Sequence, residues 1–558
     1  MTFTEKLPLP VGSTNYKQIA NEFYYIDKTL LIKDILDIRA EISLFTRPRR
    51  FGKTLNMNML KTFFEISAED TSVYFKNKKI WQQGEKYTQQ QGKYPVIFLS
   101  FKDVNKYTWD SLFARLTETI RDEYIRHAEL NDSPKISEAD VNFYKKILAD
   151  DADETDYGIS ILRLSKMLCE HYDKPVILII DEYDTPIQSG YIHGFYSEVI
   201  QFIRDLLSSA LKDNGNLAYG FLTGILRVAK ESIFSGLNNI RVYSVLDKKF
   251  AAYFGFTADE VAEMACYYGV PEKVAEIKAW YDGYRFGEVE IYNPWSVLNY
   301  FGNDCIPMPY WLQTSNNSII YEMLERTSRE TYKELLQLID GEAVTSLVDM
   351  NVIYPELGDR PENIFSLLLM TGYLKAIKTT ITPFGDMECE LCIPNRELKN
   401  VYYKEIIAHL SDSMSINVAY AITKALLAKD GARLKQALQN FLLETVSFHD
   451  TLNENYYHGL LLGMAVIFSE DYYIRSNRES GDGRYDIALE PKNNKLPGII
   501  IEVKAQRDAN DALAQLAQIA LKQIATKSYD AEMRSRGVKI IYKYGIAFCK
   551  KQVEIVTN

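Results

Sequence analysis

Short apolar runs alternate with helical segments over the first ~225 residues, and this alternation constrains the fold more than any other feature of the chain. The runs are 41–46, 94–101, 175–180 and 217–223, with helical segments such as 55–64 and 195–212 between them. Parallel strands need crossovers of a dozen or more residues, usually helical. Strand–helix alternation therefore predicts an α/β fold, a parallel sheet covered by helices. The run PVILII (175–180) is apolar throughout, as in a strand buried on both faces.

The first run leads into Thr46-Arg-Pro-Arg-Arg-Phe-Gly-Lys-Thr54, after which Leu55, Met59 and Phe63 recur at helical spacing. Gly52-Lys53-Thr54 thus sits where a strand turns into a helix, where free backbone N–H groups and the positive helix end attract phosphate. Lys53 would reach the β- and γ-phosphates of ATP, and the Thr54 hydroxyl would bind Mg²⁺. The general pattern GxxxxGK[ST] has glycine where this chain has Arg47, and a side chain there restricts a tight turn. Arg49 and Arg50 would supply cationic contacts to phosphate. The plainer alternative is a chance GKT in a solvated loop.

A second motif bears on that choice. The 175–180 run ends in Asp181-Glu182. A carboxylate there would hold magnesium, as Asp181, and the next would polarise the attacking water, as Glu182. Thr223, ending a neighbouring strand, would sense the γ-phosphate. Arg227 would contact phosphate in the same chain or a partner, or form a structural salt bridge.

The C-terminal signal is GRYDIAL (483–489), a turn-prone EPKNNKLPG, then IIIEVK (499–504). Two apolar strands around an Asn/Pro/Gly-rich loop predict a hairpin. Glu502 and Lys504 share a face and Val503 points to the core. Asp486 approaches Glu502 from the paired strand. Two close carboxylates repel unless a cation lies between them, and Mg²⁺ or Mn²⁺ suits oxygen ligands. Lys504 would position water or neutralise developing charge. The alternative is a charged hairpin face in solvent. Glu454 would add a carboxylate or be an exposed helix-start acid. Around His449 and His458 no serine or cysteine stands in a recognised nucleophile arrangement, and His458 reads as a packing residue. The aromatic stretch 280–295 reads as core packing rather than a base-stacking surface.

The net charge of −11 argues against a chain whose whole surface binds nucleic acid. From 451 onward, however, 15 Lys+Arg face 13 Asp+Glu, so any polyanion belongs at that end. The six cysteines are sparse, as in a reduced compartment. Cys389 and Cys392 form one CxxC without the second ligand pair a zinc ribbon needs. No apolar run approaches the roughly 20 residues of a membrane span, and the cytoplasm is the expected location.

RPRRFGKT, VILIIDEYDTPI and LTGILRVAKESIFSGLNN resemble the predicted AAA-ATPase-like family of bacterial proteins. So do YYIDKT, WYDGYRFG, YNPWSVLNY and LLLMTGYLKA, carrying the resemblance over most of the first ~400 residues. The Arg-Pro-Arg-Arg loop is itself part of that family's pattern. YYHGLLLG, SNRESGDGRYDIAL, IIIEVKA, ALKQIATKSY and YGIAF look like the PD-(D/E)xK nuclease superfamily, in the branch often fused to this ATPase-like family. This second resemblance implies that Asp486 and Glu502 are metal ligands, that Lys504 is catalytic and that Gln523 orients substrate or water. One departure is Tyr485, where the pattern has proline before Asp486.

The expected architecture is a P-loop parallel-sheet ATPase domain (1–227), a mostly helical middle region (228–430) and a PD-(D/E)xK-like α/β domain (431–558). The expected function is ATP binding and hydrolysis coupled to Mg²⁺- or Mn²⁺-dependent cleavage of nucleic acid, DNA in the leading reading. The alternative is a nucleotide-dependent switch or scaffold that binds nucleic acid without cutting it. No membrane partner is expected, and a homo-oligomer is compatible with this architecture.

Overall fold

In a computed structural model of the chain, the residues described are 6–227, 239–311, 331, 334–335, 337–338, 341–352, 354–358, 360–402, 416–445, 454–465, 468, 471–480, 483–493, 495–506 and 513–558. They divide into two compact units, Met1–Ser315 with Thr345–Leu398, and Asn316–Val344 with Lys399–Asn558.

The first unit is built on a five-stranded parallel sheet. Its strands are β1 (Ile42–Thr46), β2 (Val96–Ser100), β3 (Val176–Asp181), β4 (Leu217–Gly224) and β5 (Ile240–Tyr243), in the order β2-β3-β4-β1-β5. β1 and β3 are buried along their whole length, which explains their unbroken apolar runs. The crossovers from β1 to β2, β2 to β3 and β3 to β4 are helical. Tyr196–Leu211 buries Val199, Ile203, Leu206, Leu207 and Ala210 along one stripe. Glu154–Tyr172 starts with a reciprocal cap between Asp153 and Asp156. Helix Lys53–Phe64 follows β1 through the phosphate loop. The register places Thr223 beside Phe45 on one side, and Leu222 beside Ile180 on the other, so Thr46, Asp181 and Thr223 end at one sheet edge.

Over 228–430, the expected helices alternate with short strands. β5 completes the first sheet, β6 (Tyr284–Phe286) and β7 (Val289–Ile291) form a hairpin, and β8 (Val344–Val348), β9 (Lys375–Ile381) and β10 (Met387–Cys392) form a sheet in the order β8-β10-β9. Strands of three residues flanked by glycine and aspartate carry no periodicity, so the sequence reads them as turns. Cys389 is buried on β10 opposite Thr379, in keeping with a core cysteine rather than a zinc ligand.

The second unit holds β11 (Tyr472–Ser480), β12 (Gly483–Pro491), β13 (Gly498–Gln506), β14 (Ile541–Cys549) and β15 (Gln552–Thr557) in sequential order. Pairs are antiparallel except β13–β14, whose parallel register is bridged by helices Leu513–Thr526 and Ala531–Ser535. The expected hairpin is present, and β11 extends it to three strands. Ile499, Ile501 and Val503 enter a core with Leu434, Leu438, Tyr457 and Leu461 from the preceding helices. Ile500, on the opposite face, packs with Tyr485, Ile524 and Tyr529. Among the described residues no helix is long and apolar enough to cross a membrane.

Gly545 on β14 lies opposite Glu502. A Cβ there would overlap the Ala517 carbonyl oxygen and stand 2.5 Å from the Leu521 amide nitrogen. This glycine lets helix Leu513–Thr526 approach the sheet closely enough to bring Gln523 to Glu502. Gly545→Ala is expected to destabilise the second unit by about 1–3 kcal/mol through overpacking, read as a lower urea midpoint of the full chain.

Candidate functional sites

At the first site the chain leaves β1 at Thr46, and the Arg47 amide still donates to the Gly224 carbonyl (3.0 Å). The turn is made by two left-handed residues, Arg50 (φ +70°) and Gly52 (φ +80°), while Arg47 is not left-handed. The missing glycine at 47 therefore leaves the turn intact. Helix Lys53–Phe64 has no side-chain cap on its first amides, and a Cβ on Gly52 would meet nothing within 4 Å. This end of the helix suits phosphate.

Lys53 is buried, and its Nζ donates to the carbonyls of Arg47 and Pro48 (2.9 Å each). Burial lowers its pKa against the charges of Glu182, Asp184 and Asp181. The Thr54 hydroxyl donates to Asp181 Oδ2 (2.7 Å) and the Thr223 hydroxyl to Asp181 Oδ1 (2.5 Å). Thr223 in turn accepts the Glu182 amide (3.1 Å). Burial, then the Glu182 charge, raise the Asp181 pKa. Glu182 itself is left-handed (φ +54°), a strained conformation for a non-glycine residue. Gly52, Lys53, Thr54, Asp181, Glu182 and Thr223 are thus gathered around one sheet edge. Thr223 is fully buried and its hydroxyl serves the carboxylate.

The arginines are engaged elsewhere. Arg49 donates to Gln188 (2.8 Å), and Arg227 to Asn351 (2.8 Å) rather than to an acid. Arg50 lies over the Trp295 ring, 4.6 Å from its centroid. Two further residues carry roles that motif reading passed over. Arg47 is fully buried between the rings of Phe254 and Phe286 and donates to the carbonyls of Thr46 and Tyr243. Asp184 accepts the amides of Ile225 (2.7 Å) and Leu226 (2.9 Å), fixing the segment after β4. The D-E-Y-D spacing was its only sequence signal. Tyr281, Tyr284, Phe286 and Tyr292 are buried, as the packing reading of 280–295 expects.

The second site lies where β12 and β13 part. Their ladder ends at Ile487↔Ile501, one position short of Asp486 and Glu502. Beyond it, Asp486 Oδ2 takes the Val503 amide (2.7 Å). Glu502 is 1% exposed. Its Oε1 accepts from Gln523 and lies 3.4 Å from Lys504 Nζ, while its Oε2 is buried with no hydrogen-bond partner. Lys504 Nζ is also 3.4 Å from Glu454 Oε1. Burial, then the Asp486 charge, push the Glu502 carboxyl up to about 7. Burial likewise raises Asp486. For Lys504, burial is outweighed by the charges of Glu454, Glu502 and Asp486, and its pKa rises.

Asp486, Glu502, Lys504 and Gln523 therefore converge, with Glu454 on Lys504. The buried, unpartnered Glu502 oxygen beside a second carboxylate fits a hard cation. Among the described residues no group of three or more His, Cys, Asp or Glu side chains is placed to hold a metal ion. The sequence also offers Arg484 and Arg507 as basic residues to guide a phosphate backbone here, but Arg507, like His449, lies outside the described residues, as does the Arg484 side chain.

Residues 10–234 match the family model described as Predicted AAA-ATPase, and residues 452–558 match that of the PD-(D/E)XK nuclease superfamily. The two matches lie in one chain, in the order of the fused architecture expected from the sequence. It is also 24% identical over 568 residues to an "Uncharacterized protein in vnfD 5'region" of Azotobacter chroococcum mcd 1, covering 98% of each.

His458 packs as expected, but it does more in this fold. Its Nε2 is 3.0 Å from the Asp486 carbonyl oxygen and 3.0 Å from Ser476 Oγ, at 4% exposure. Donation to that carbonyl requires the Nε2–H tautomer. His458→Ala removes a donor from a buried carbonyl and should cost about 1–3 kcal/mol, measured by urea unfolding of the full chain.

Proposed function

We propose that the chain binds Mg²⁺-ATP at the phosphate loop, hydrolyses it, and couples that cycle to metal-dependent cleavage of phosphodiester bonds in DNA. The domain division 1–227, 228–430 and 431–558 belongs to the same reading. The observation that carries it is the convergence of Asp486, Glu502, Lys504 and Gln523 around a buried carboxylate oxygen without a partner.

At the first site Lys53 would release the Arg47 and Pro48 carbonyls and bind the β- and γ-phosphates. Thr54 and Asp181 would hold the magnesium of the nucleotide, with Thr223 steadying Asp181. Glu182 would orient the attacking water. Arg49, Arg50 and Arg227 would reach phosphate after leaving Gln188, Trp295 and Asn351.

At the second site Asp486 and Glu502 would hold Mg²⁺ or Mn²⁺. Such an ion, when bound, supplies an activated water and neutralises phosphoryl charge. The Val503 amide fixes Asp486, and Gln523 fixes Glu502. Lys504 presents its ammonium on the same strand face, where it would hold the negative charge of the scissile phosphate.

The test is nicking of a supercoiled plasmid with Mg²⁺, with and without ATP. Lys504→Ala should keep Mn²⁺ binding yet lose cleavage by about 10²–10³-fold, whereas Asp486→Ala and Glu502→Ala should lose both. Lys53→Ala should abolish tight ATP binding in calorimetry, and Glu182→Gln should trap bound ATP. Undiminished nicking by Glu502→Ala would sink the nuclease assignment. Retained DNA binding by a wild type that never cuts would favour the nucleotide-dependent switch.

A further inference from the structure

The phosphate loop is seated on residues that follow it by more than two hundred positions. Pro48 abuts Gly372, where an added Cβ would stand 2.8 Å from the proline ring. Phe51 is fully buried against Tyr284 and Phe286, with ring centroids 4.8 and 5.1 Å away. Arg50, in its left-handed conformation, rests on Trp295. Trp295 lies in the first turn of helix Pro294–Gly302, capped by Asn293. The next residue, Ser296, is fully buried and its hydroxyl donates to Glu397 (2.8 Å to Oε2, 3.0 Å to Oε1). Glu397, also fully buried, accepts the Trp311 amide (2.7 Å).

A continuous path therefore runs from the loop through Arg50, Trp295 and Ser296 to Glu397. Burial pushes the Glu397 carboxyl up to about 7, against the hydrogen bonds from Trp311 and Ser296 and the positive charge of Arg50. Tyr281 and Tyr310 are further titratable groups under its influence. A guanidinium on an indole face is held by its ring quadrupole, whereas phosphate offers charge and two parallel hydrogen bonds. Phosphate at the loop therefore offers Arg50 what the indole face cannot.

We propose that Trp295 and Glu397 are positioning residues for the phosphate loop: Trp295 seats Arg50 before nucleotide arrives, and when Arg50 leaves for phosphate Glu397 takes up a proton. This rests on the reading that the loop binds nucleotide. The sign follows from the charges. With Arg50 beside it, the ionised carboxylate is favoured. With Arg50 gone its pKa rises further, and at pH 7 a proton moves from solvent to the carboxyl. The neutral carboxyl is a weaker acceptor for Ser296 and Trp311, so loop occupancy alters how firmly those residues are held.

Calorimetric titration of the full chain with Mg²⁺-ATP at pH 7, in two buffers of different ionisation enthalpy, tests this. ATP exchanges protons of its own in this range, so the readout is the difference between wild type and Glu397→Gln. Wild type should take up more, by up to roughly half a proton per ATP. An ATP-induced change in indole emission should accompany it and be lost in Trp295→Phe. If Glu397→Gln does not fold by circular dichroism, Arg50→Gln gives the same comparison, because it removes the charge and keeps the carboxyl. Equal proton uptake by wild type and variant overturns the inference while leaving nucleotide binding intact. Absence of any ATP-binding heat from the wild type removes the nucleotide reading and the inference together.

Discussion

Taking the Asp181 carboxylate out of water is the constraint on which the first unit depends. A buried carboxylate is costly unless each oxygen finds a donor. Here both donors are hydroxyls, one from Thr54 at the head of helix Lys53–Phe64 and one from Thr223 at the end of β4. That requirement ties together three segments far apart in sequence. It is met because β4 is inserted between β3 and β1, so that Thr223 stands next to Asp181 while the helix leaving β1 reaches over to it. The sheet order and the site geometry are one arrangement. Sliding β4 by one residue would turn Thr223 to the other face and leave Asp181 Oδ1 without its donor.

The second unit handles a buried carboxylate differently. Glu502 is as deeply buried as Asp181, yet only Oε1 is served, by Gln523 and Lys504. Each Asp181 oxygen has a hydroxyl donor from the protein. Glu502 keeps one oxygen unpaired, with Asp486 adding repulsion, and so retains an unmet demand for positive charge or a proton. The same difference appears in the supporting residues. Threonines steady Asp181 from neighbouring elements, whereas Glu502 depends on a helix that can approach only because Gly545 has no side chain.

Much of this was legible in the sequence. β1 and β3 announced themselves because parallel strands covered on both faces are apolar at every position. Glu502 and Lys504 were legible through the period of two, since Ile499, Ile501 and Val503 fall to one face. β11 was not, because Arg475, Ser476, Asn477, Arg478 and Glu479 carry no apolar alternation. Its pairing is imposed by β12 rather than by its own composition. The arginines were read by charge, which states what they can bind but not where the fold parks them. Trp295, Gln188 and Asn351 come from segments whose proximity no local pattern encodes. Thr223 was placed at the right edge, while its service to Asp181 depends on register.

Arg47 shows why the fold around the 46–54 loop extends past the strands that flank it. Its guanidinium is fully buried, and burial pulls its pKa down to about 9, against the opposing influence of Asp247. That value still leaves it charged at neutral pH. A charge so placed must be compensated, and its surroundings come from beyond residue 240: the Tyr243 carbonyl, the Phe254 ring and the Phe286 ring. The next residues of the loop follow the same rule, with Pro48 against Gly372 and Phe51 against Tyr284. A chain cut after β4 would retain the Gly-Lys-Thr sequence and lose every one of these supports. The loop's shape is therefore a property of the whole first unit: the turn is made at Arg50 and Gly52, while Arg47 is held between two aromatic rings from beyond β5.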